Sequence, residues 1–236
     1  MDYEIMMNGN VKVGMFAPDF EAITTMGEVC LNDYKGKWLV LFSHPGDFTP
    51  VCTTEMIAFA RAYTYFCKMN CCLLGLSVDS NSSHLAWMYD IYCKTGIKIP
   101  FPIIADRNGE IARKYGMISN NVSNTETVRN VFIIDDKGVI RSILVYPMEI
   151  GRCIPEIIRT VNALQMTDQQ KAMTPANWCP GDPMIVPAPK TFAFLEERMN
   201  EINENKNGMN WYLSFKKPEQ KKIECRKENK QDNKKE

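Results

Sequence analysis

Nine cysteines carry most of the chemistry open to this 236-residue chain, and the residues in front of one of them set it apart. In SHPGDFTPVCTTE, Ser43 to Glu55, a short apolar run ends and a helical pattern begins. Pro50 suits the first position of a helix, where its missing N–H costs nothing, so Thr49 becomes the N-cap and Cys52 falls in the first turn. There the thiol lies among unpaired backbone N–H groups at the positive end of the helix dipole. Both favour the thiolate, which is the nucleophile. The other cysteines read differently. Cys30, Cys67, Cys71, Cys72 and Cys93 lie within apolar or amphipathic stretches and are expected as small core hydrophobes. Cys67-x-x-x-Cys71-Cys72, with His44 and His84 the only histidines, lacks the paired knuckles that zinc requires, so no metal is expected.

The elements that position Cys52 follow from periodicity. WLVLF (Trp38 to Phe42), LLGLSV (Leu73 to Val78) and VFII (Val131 to Ile134) are short apolar runs of the kind buried inside an α/β sheet. Pro50 to Met69 repeats apolar residues at helical spacing, Ser82 or Ser83 is placed to cap a second helix ending near Gly96, and Glu156 to Gln165 supplies a third. Asp135 to Gly138 joins two strands as a hairpin that continues through Val139 to Tyr146. The order predicts an α/β fold: a thioredoxin-like three-layer sandwich with a small C-terminal α+β extension. Five prolines between Thr174 and Pro189 mark a change of composition. The reading is a main domain over 1–165, a dimerisation or capping domain over 166–215 holding a helix (Thr191 to Asn203) and one strand (Asn210 to Phe215), and a disordered charged tail over 216–236.

Charge and length exclude several classes of function. Twenty-eight basic residues balance twenty-eight acidic ones, which removes the general electrostatic case for a nucleic-acid partner. From Lys216 onward nine Lys/Arg stand against five Asp/Glu, a surplus of four in a stretch with too few large apolar residues to offset its own ordering. Cys71 to Val78 is far short of the roughly 20 apolar residues that span a bilayer, so no membrane is expected. Asp2 and Glu4 stand where a secretory signal is basic, and the expected location is cytoplasmic, where thiols stay reduced.

The segment PGDFTPVCTTE, Pro45 to Glu55, resembles the peroxidatic motif of the peroxiredoxins, Pro-x-x-x-Thr/Ser-x-x-Cys, at every defining position. The likeness continues through GMFAPDF (Gly14 to Phe20), LNDYKGK (Leu31 to Lys37), SVDS (Ser77 to Ser80) and TVRNVFIID (Thr127 to Asp135). His44, the YPxxxGR pattern of Tyr146 to Arg152 and the stretch from Thr174 are similar to the 1-Cys-like subfamily with an extended C-terminal domain. The resemblance implies a thiol-dependent peroxidase reducing hydrogen peroxide and alkyl hydroperoxides, with no cofactor, and serving antioxidant defence. Cys52 would attack the peroxide, Thr49 would place its hydroxyl beside it, Pro45 would shield the site, and Arg129 would activate the sulfur and bind substrate. Arg152 would be a second arginine at the pocket, and His44 and Glu55 would orient the others.

The departures bear on recycling. No Val-Cys-Pro resolving cysteine is present, and Gly208 and Ser214 stand where some relatives carry two further thiols. The expectation is reduction by thioredoxin or another external thiol, with Cys179 and Cys225 as the alternatives within the chain. The resemblance further implies a homodimer, and less directly a ring of five dimers. A dithiol oxidoreductase on the same fold needs C-x-x-C at the helix start, where this chain has Glu55; a holdase or sensor role on this scaffold stays open as an addition. The stretch Thr25 to Cys30 lacks the serine of a lipase motif.

Overall fold

The computed structural model describes residues 11–205 and 208–219. Those beyond 219, Cys225 and most of the charged tail among them, lie outside the described residues. Seven strands form one sheet in the order β2-β1-β5-β4-β3-β6-β7: β1 (Glu21–Thr24), β2 (Gly27–Cys30), β3 (Trp38–Ser43), β4 (Cys71–Ser77), β5 (Ile103–Ala105), β6 (Arg129–Ile134) and β7 (Ile140–Tyr146). β3, β4 and β5 run parallel, while β6 is antiparallel to β3 and β7 to β6. Among the described residues there are five α-helices: α1 (Pro50–Lys68), α2 (Asn81–Thr95), α3 (Glu110–Lys114), α4 (Ile154–Gln170) and α5 (Phe192–Asn205).

All six residues of β3 are buried, and they divide by parity, as a strand covered on both faces must. Val40 and Phe42 join Met56, Phe59 and Phe66 of α1, Trp87 and Ile91 of α2, and Ile154, Ile157 and Val161 of α4. Leu39 and Leu41 join Phe20, Leu74, Leu76, Phe132 and Tyr115 on the other face, with Ile111 and Ala112 of α3. This is the three-layer sandwich read from the sequence.

The β6–β7 turn forms because the Asp135 carboxylate accepts from the backbone N–H groups of Lys137 and Val139, while Gly138 takes a φ of 84°. Two local readings are corrected. The cap of α2 is Ser80, whose hydroxyl accepts from Ser83 N, rather than Ser82 or Ser83. Asn210 to Phe215 is a hairpin, not one strand: Asn210 Oδ1 accepts from Trp211 N at 2.7 Å and turns the chain between β9 (Gly208–Asn210) and β10 (Leu213–Lys216).

The chain separates into two compact units between Leu164 and Gln165, a division that falls inside the long helix α4. In the second unit β8 (Met184–Ile185), β10 and β9 make a small antiparallel sheet. Gly208 faces Ser214 there, and a Cβ at Gly208 would lie 2.7 Å from the Leu213 carbonyl, so the close approach requires glycine. Ser214 is buried and its hydroxyl accepts from Arg198. Among the described residues no helix is long and apolar enough to cross a membrane.

Candidate active site

β3 delivers Ser43 to the edge of the sheet, and a six-residue turn, His44 to Thr49, carries the chain into α1. Pro50 is the first helical residue and Thr49 has the extended backbone of an N-cap. The Thr49 hydroxyl does not cap the helix, however. It donates to the Gly46 carbonyl at 2.8 Å, bracing the turn from within. Phe48 completes the turn at a φ of 55°, a left-handed conformation that a phenylalanine holds only when its surroundings over-determine it.

Cys52 sits in the first turn of α1 and is fully buried. Arg129, the first residue of β6, donates from Nη1 to Cys52 Sγ at 3.3 Å and to Glu55 Oε2 at 2.8 Å. Its Nε and Nη2 both donate to the Met148 carbonyl, at 2.9 and 2.7 Å, which fixes the guanidinium plane and aims the remaining nitrogen at the sulfur. Glu55 lies one turn beyond Cys52 and joins the two arginines. Its Oε1 accepts from Arg152 N at 2.8 Å and Nε at 2.9 Å, and its Oε2 accepts from Arg152 Nη2 at 2.6 Å. Arg152 Nη1 donates to the carbonyls of Ser43 and Asn130, and its guanidinium stands over the Phe42 and Phe59 rings at 5.1 and 5.6 Å. Burial pulls Arg152 below its ordinary pKa, and Glu55 opposes that shift.

Two guanidinium groups and one carboxylate, all buried, leave one positive charge in excess beside the sulfur. Such a site accommodates an anion at Sγ or on an oxygen bound to it, and offers that anion a donor already in place.

The sequence-predicted residues Cys52, Arg129, Glu55 and Arg152 are thus in one bonded cluster. Pro45 is buried in the turn, and His44 is fully buried behind it, its N donating to the Leu76 carbonyl and its O accepting from Thr127 Oγ1 at 2.7 Å. The His44 ring turns to Asp47, with Nε2 3.0 Å from Oδ1. Sequence reasoning missed Asp47 and His84. The Asp47 carboxylate also receives His84 Nδ1, at 3.0 and 2.8 Å, and the His84 Nε2 faces the Ile104 carbonyl at 3.1 Å. A signal existed, because His84 lies on the same inward face of α2 as Trp87 and Ile91, and a buried imidazole needs partners. Burial pushes the His44 pKa down, against the bond to Asp47. Burial alone would raise Asp47, but the bonds from both imidazoles outweigh it and hold the carboxyl well below the usual range.

The cysteine reading needs correction. Cys71 is buried, but Cys30 and Cys72 are half-buried, and Cys67 and Cys93 are exposed. Cys67 follows the buried Phe66 by one residue and Cys93 follows Ile91 by two, and each step turns the side chain away from the core. Cys153 and Cys179 are exposed as well.

The AhpC/TSA family profile matches residues 13–143, and the profile of the C-terminal domain of 1-Cys peroxiredoxin matches residues 163–199. The chain is 57% identical over 206 residues to peroxiredoxin 2 of Caldanaerobacter subterraneus, covering 87% of this chain and 93% of the relative. It is 50% identical to a peroxiredoxin of Aquifex aeolicus, covering 87% and 96%. Among solved structures it is similar to a yeast mitochondrial 1-Cys peroxiredoxin, studied for thiol resolution via glutathione/thioredoxin systems, at a TM-score of 0.76, 39% identity and coverage of 88% and 99%. A cysteine-to-serine mutant of peroxiredoxin 6 from Arenicola marina gives a TM-score of 0.77 at 34% identity, covering 89% and 99%.

Proposed function

The chain belongs to the AhpC/TSA family of peroxiredoxins, thiol-dependent peroxidases, and we propose that Cys52 is the sulfur that reduces the peroxide. The observation that carries this is the 3.3 Å contact of Arg129 with a fully buried Cys52 Sγ in the first turn of α1. The thiolate takes one oxygen of ROOH, the O–O bond breaks, and RO⁻ leaves to be protonated, so that sulfur is oxidised to a sulfenic acid as the peroxide is reduced to water or an alcohol. Arg129 stabilises the charge as it moves from sulfur to the leaving oxygen. Pro45 keeps water from the sulfur, Thr49 lines the approach, and Arg152, Glu55 and His44 hold these groups in place.

The sulfenic acid then condenses with an external thiol, releasing water, and a second thiol frees Cys52 from the mixed disulfide. Thioredoxin and glutathione serve this purpose in the yeast relative, and a thiol of either kind fits here. Gly208 and Ser214 have closed together and offer no sulfur. The eight free cysteines among the described residues suit a reducing compartment such as the cytoplasm. The second unit leaves Phe192, Phe194, Met209 and Tyr212 between 56 and 82% exposed, and a partner subunit that covers them makes the protein a homodimer, with a ring of five dimers as its higher assembly.

Peroxide-dependent NADPH consumption, coupled through thioredoxin and its reductase, tests the reading. Turnover is expected in the wild type and none in Cys52→Ser; full turnover in the variant rules Cys52 out. Peroxide without reductant should carry Cys52 to sulfinic or sulfonic acid by mass spectrometry, whereas a stoichiometric Cys52–Cys179 or Cys52–Cys225 disulfide overturns the external-thiol step.

A further inference from the structure

The hydrogen-bond partners of His84 decide how many protons its ring carries. At Nδ1 it meets both carboxylate oxygens of Asp47, at 3.0 and 2.8 Å, and at Nε2 it meets the Ile104 carbonyl at 3.1 Å. Carboxylates and carbonyls only accept, so each ring nitrogen of His84 must donate. His44 is the opposite case. Its Nε2 donates to Asp47 Oδ1, while its buried Nδ1 has no partner, so that ring is neutral with a single proton. The triad is a buried imidazolium, a carboxylate and a neutral imidazole, with no net charge and with only the His44 Nδ1 unpaired.

Asp47 is the middle residue of the turn that carries Pro45 and Thr49. Its backbone N–H donates to Asp79 Oδ2 at 3.0 Å, and that same oxygen accepts from Ser77 Oγ at 2.8 Å. The other charged group acting on the triad is Arg152, which lies near His44. Of the bonds holding the turn, only the Asp47–His84 pair joins two opposite charges with both side chains at most 1% exposed. Such a pair is costly to break, because either partner alone would be a buried unmatched charge.

We propose that His84 is a positioning residue for peroxide reduction: its imidazolium, held to β5 by the Ile104 carbonyl, clamps the Asp47 carboxylate and so keeps Thr49 and Pro45 in register above Cys52. The inference rests on Cys52 being the peroxide-reducing sulfur. His84 touches neither sulfur nor peroxide; it acts through Asp47 on a turn already in the left-handed conformation at Phe48. Loss of the clamp lets the turn shift, and misplacement of a reacting geometry by about 1 Å costs as much as about a hundredfold in rate.

With two histidines in the chain, ¹⁵N-labelled protein gives only two imidazole spin systems, and His84→Gln assigns them. The His84 ring, with an acceptor at each nitrogen, should show two protonated nitrogens and the His44 ring one. In Asp47→Asn the Nδ1 proton of His84 should disappear. Stopped-flow oxidation of Cys52 by hydrogen peroxide should slow by about tenfold or more in His84→Gln, within the range that a displaced contact costs. A singly protonated His84, a metal ion replacing the ring protons, or a His84→Gln enzyme oxidised at the wild-type rate overturns the proposal. Should His84→Gln fail to fold, the wild-type and Asp47→Asn spectra decide it. Failure of the wild type itself to lose its Cys52 thiol to peroxide refutes the peroxidase reading instead, while leaving the ring protons to be read independently.

Discussion

Arg129 separates two accounts of how the sulfur is activated, by charge alone or by an aimed donor. Its Nη1 lies 3.3 Å from Cys52 Sγ. Unit charges at that separation attract by about 5 kcal/mol at an effective dielectric constant of about 20, an upper figure for what the guanidinium gives a thiolate or a developing oxyanion. Loss of one preorganised donor costs about 2.7–4 kcal/mol, or about 10²–10³ in rate. Arg129→Met should therefore slow the second-order oxidation of Cys52 by hydrogen peroxide by about 10²–10³-fold. Arg129→Lys should recover little, because one ammonium cannot bond the Met148 carbonyl twice and still point at Sγ and Glu55 together. The fold should survive either change, since Glu55 keeps its three bonds to Arg152. Stopped-flow tryptophan fluorescence is suited to the measurement, because the Trp87 ring lies 5.3 Å from His44 and its Nε1 donates to Thr53 Oγ1 in α1. A lysine variant within about threefold of the wild type would show that charge suffices and sink the geometric argument; a methionine variant that fast would remove Arg129 from the chemistry.

Arg152 should behave in the opposite sense. Arg152→Met leaves Glu55 with a single arginine and strips the Ser43 and Asn130 carbonyls of a donor, so urea unfolding should show a loss of about 3–5 kcal/mol, and a loss under about 1 kcal/mol would refute its structural role. His44 has a folded pKa below its ordinary 6.5, so the unfolded chain binds its proton first; its contribution to stability is present above about pH 6.5 and is lost as pH falls, by at most about 1.4 kcal/mol per unit. The difference in urea midpoint between wild type and His44→Gln should therefore shrink from pH 7 to pH 5, and a constant difference would contradict the sign.

Long apolar runs with clear periodicity are legible in the sequence itself: β3, β4, β6 and β7 and helices α1, α2 and α4 fall within a few residues of their expected spans. The elements that escape such a reading are too short to show a period. β5 is three residues, β1 and β2 are four each, and α3 is five, so their existence is decided by neighbours, β1 through β5 and β2, and α3 through the cluster around Tyr115. The site divides in the same way. Cys52 is readable because its environment is local, a proline and a helix start. Glu55 meets Arg129 across 74 residues and Arg152 across 97, and no spacing rule links residues so far apart. Only the family resemblance brings them together at the level of sequence.

That division has a physical consequence for the reaction. The backbone near the sulfur is fixed by short-range terms, while the donor aimed at it and the turn above it are fixed by bonds from four distant places. β4 holds His44 through the Leu76 carbonyl, Thr127 holds the His44 carbonyl, Met148 orients Arg129, and His84 holds Asp47. Each joins segments far apart in sequence, and three of the four end on a backbone carbonyl, whose position is set by the sheet or by the loop that leaves it. A core substitution that shifts β3 against β4 or β6 therefore moves donor and turn independently of the sulfur. Rate should then be more sensitive than stability to small displacements of the sheet, since a displaced donor loses its full electrostatic contribution while the core loses only part of its packing.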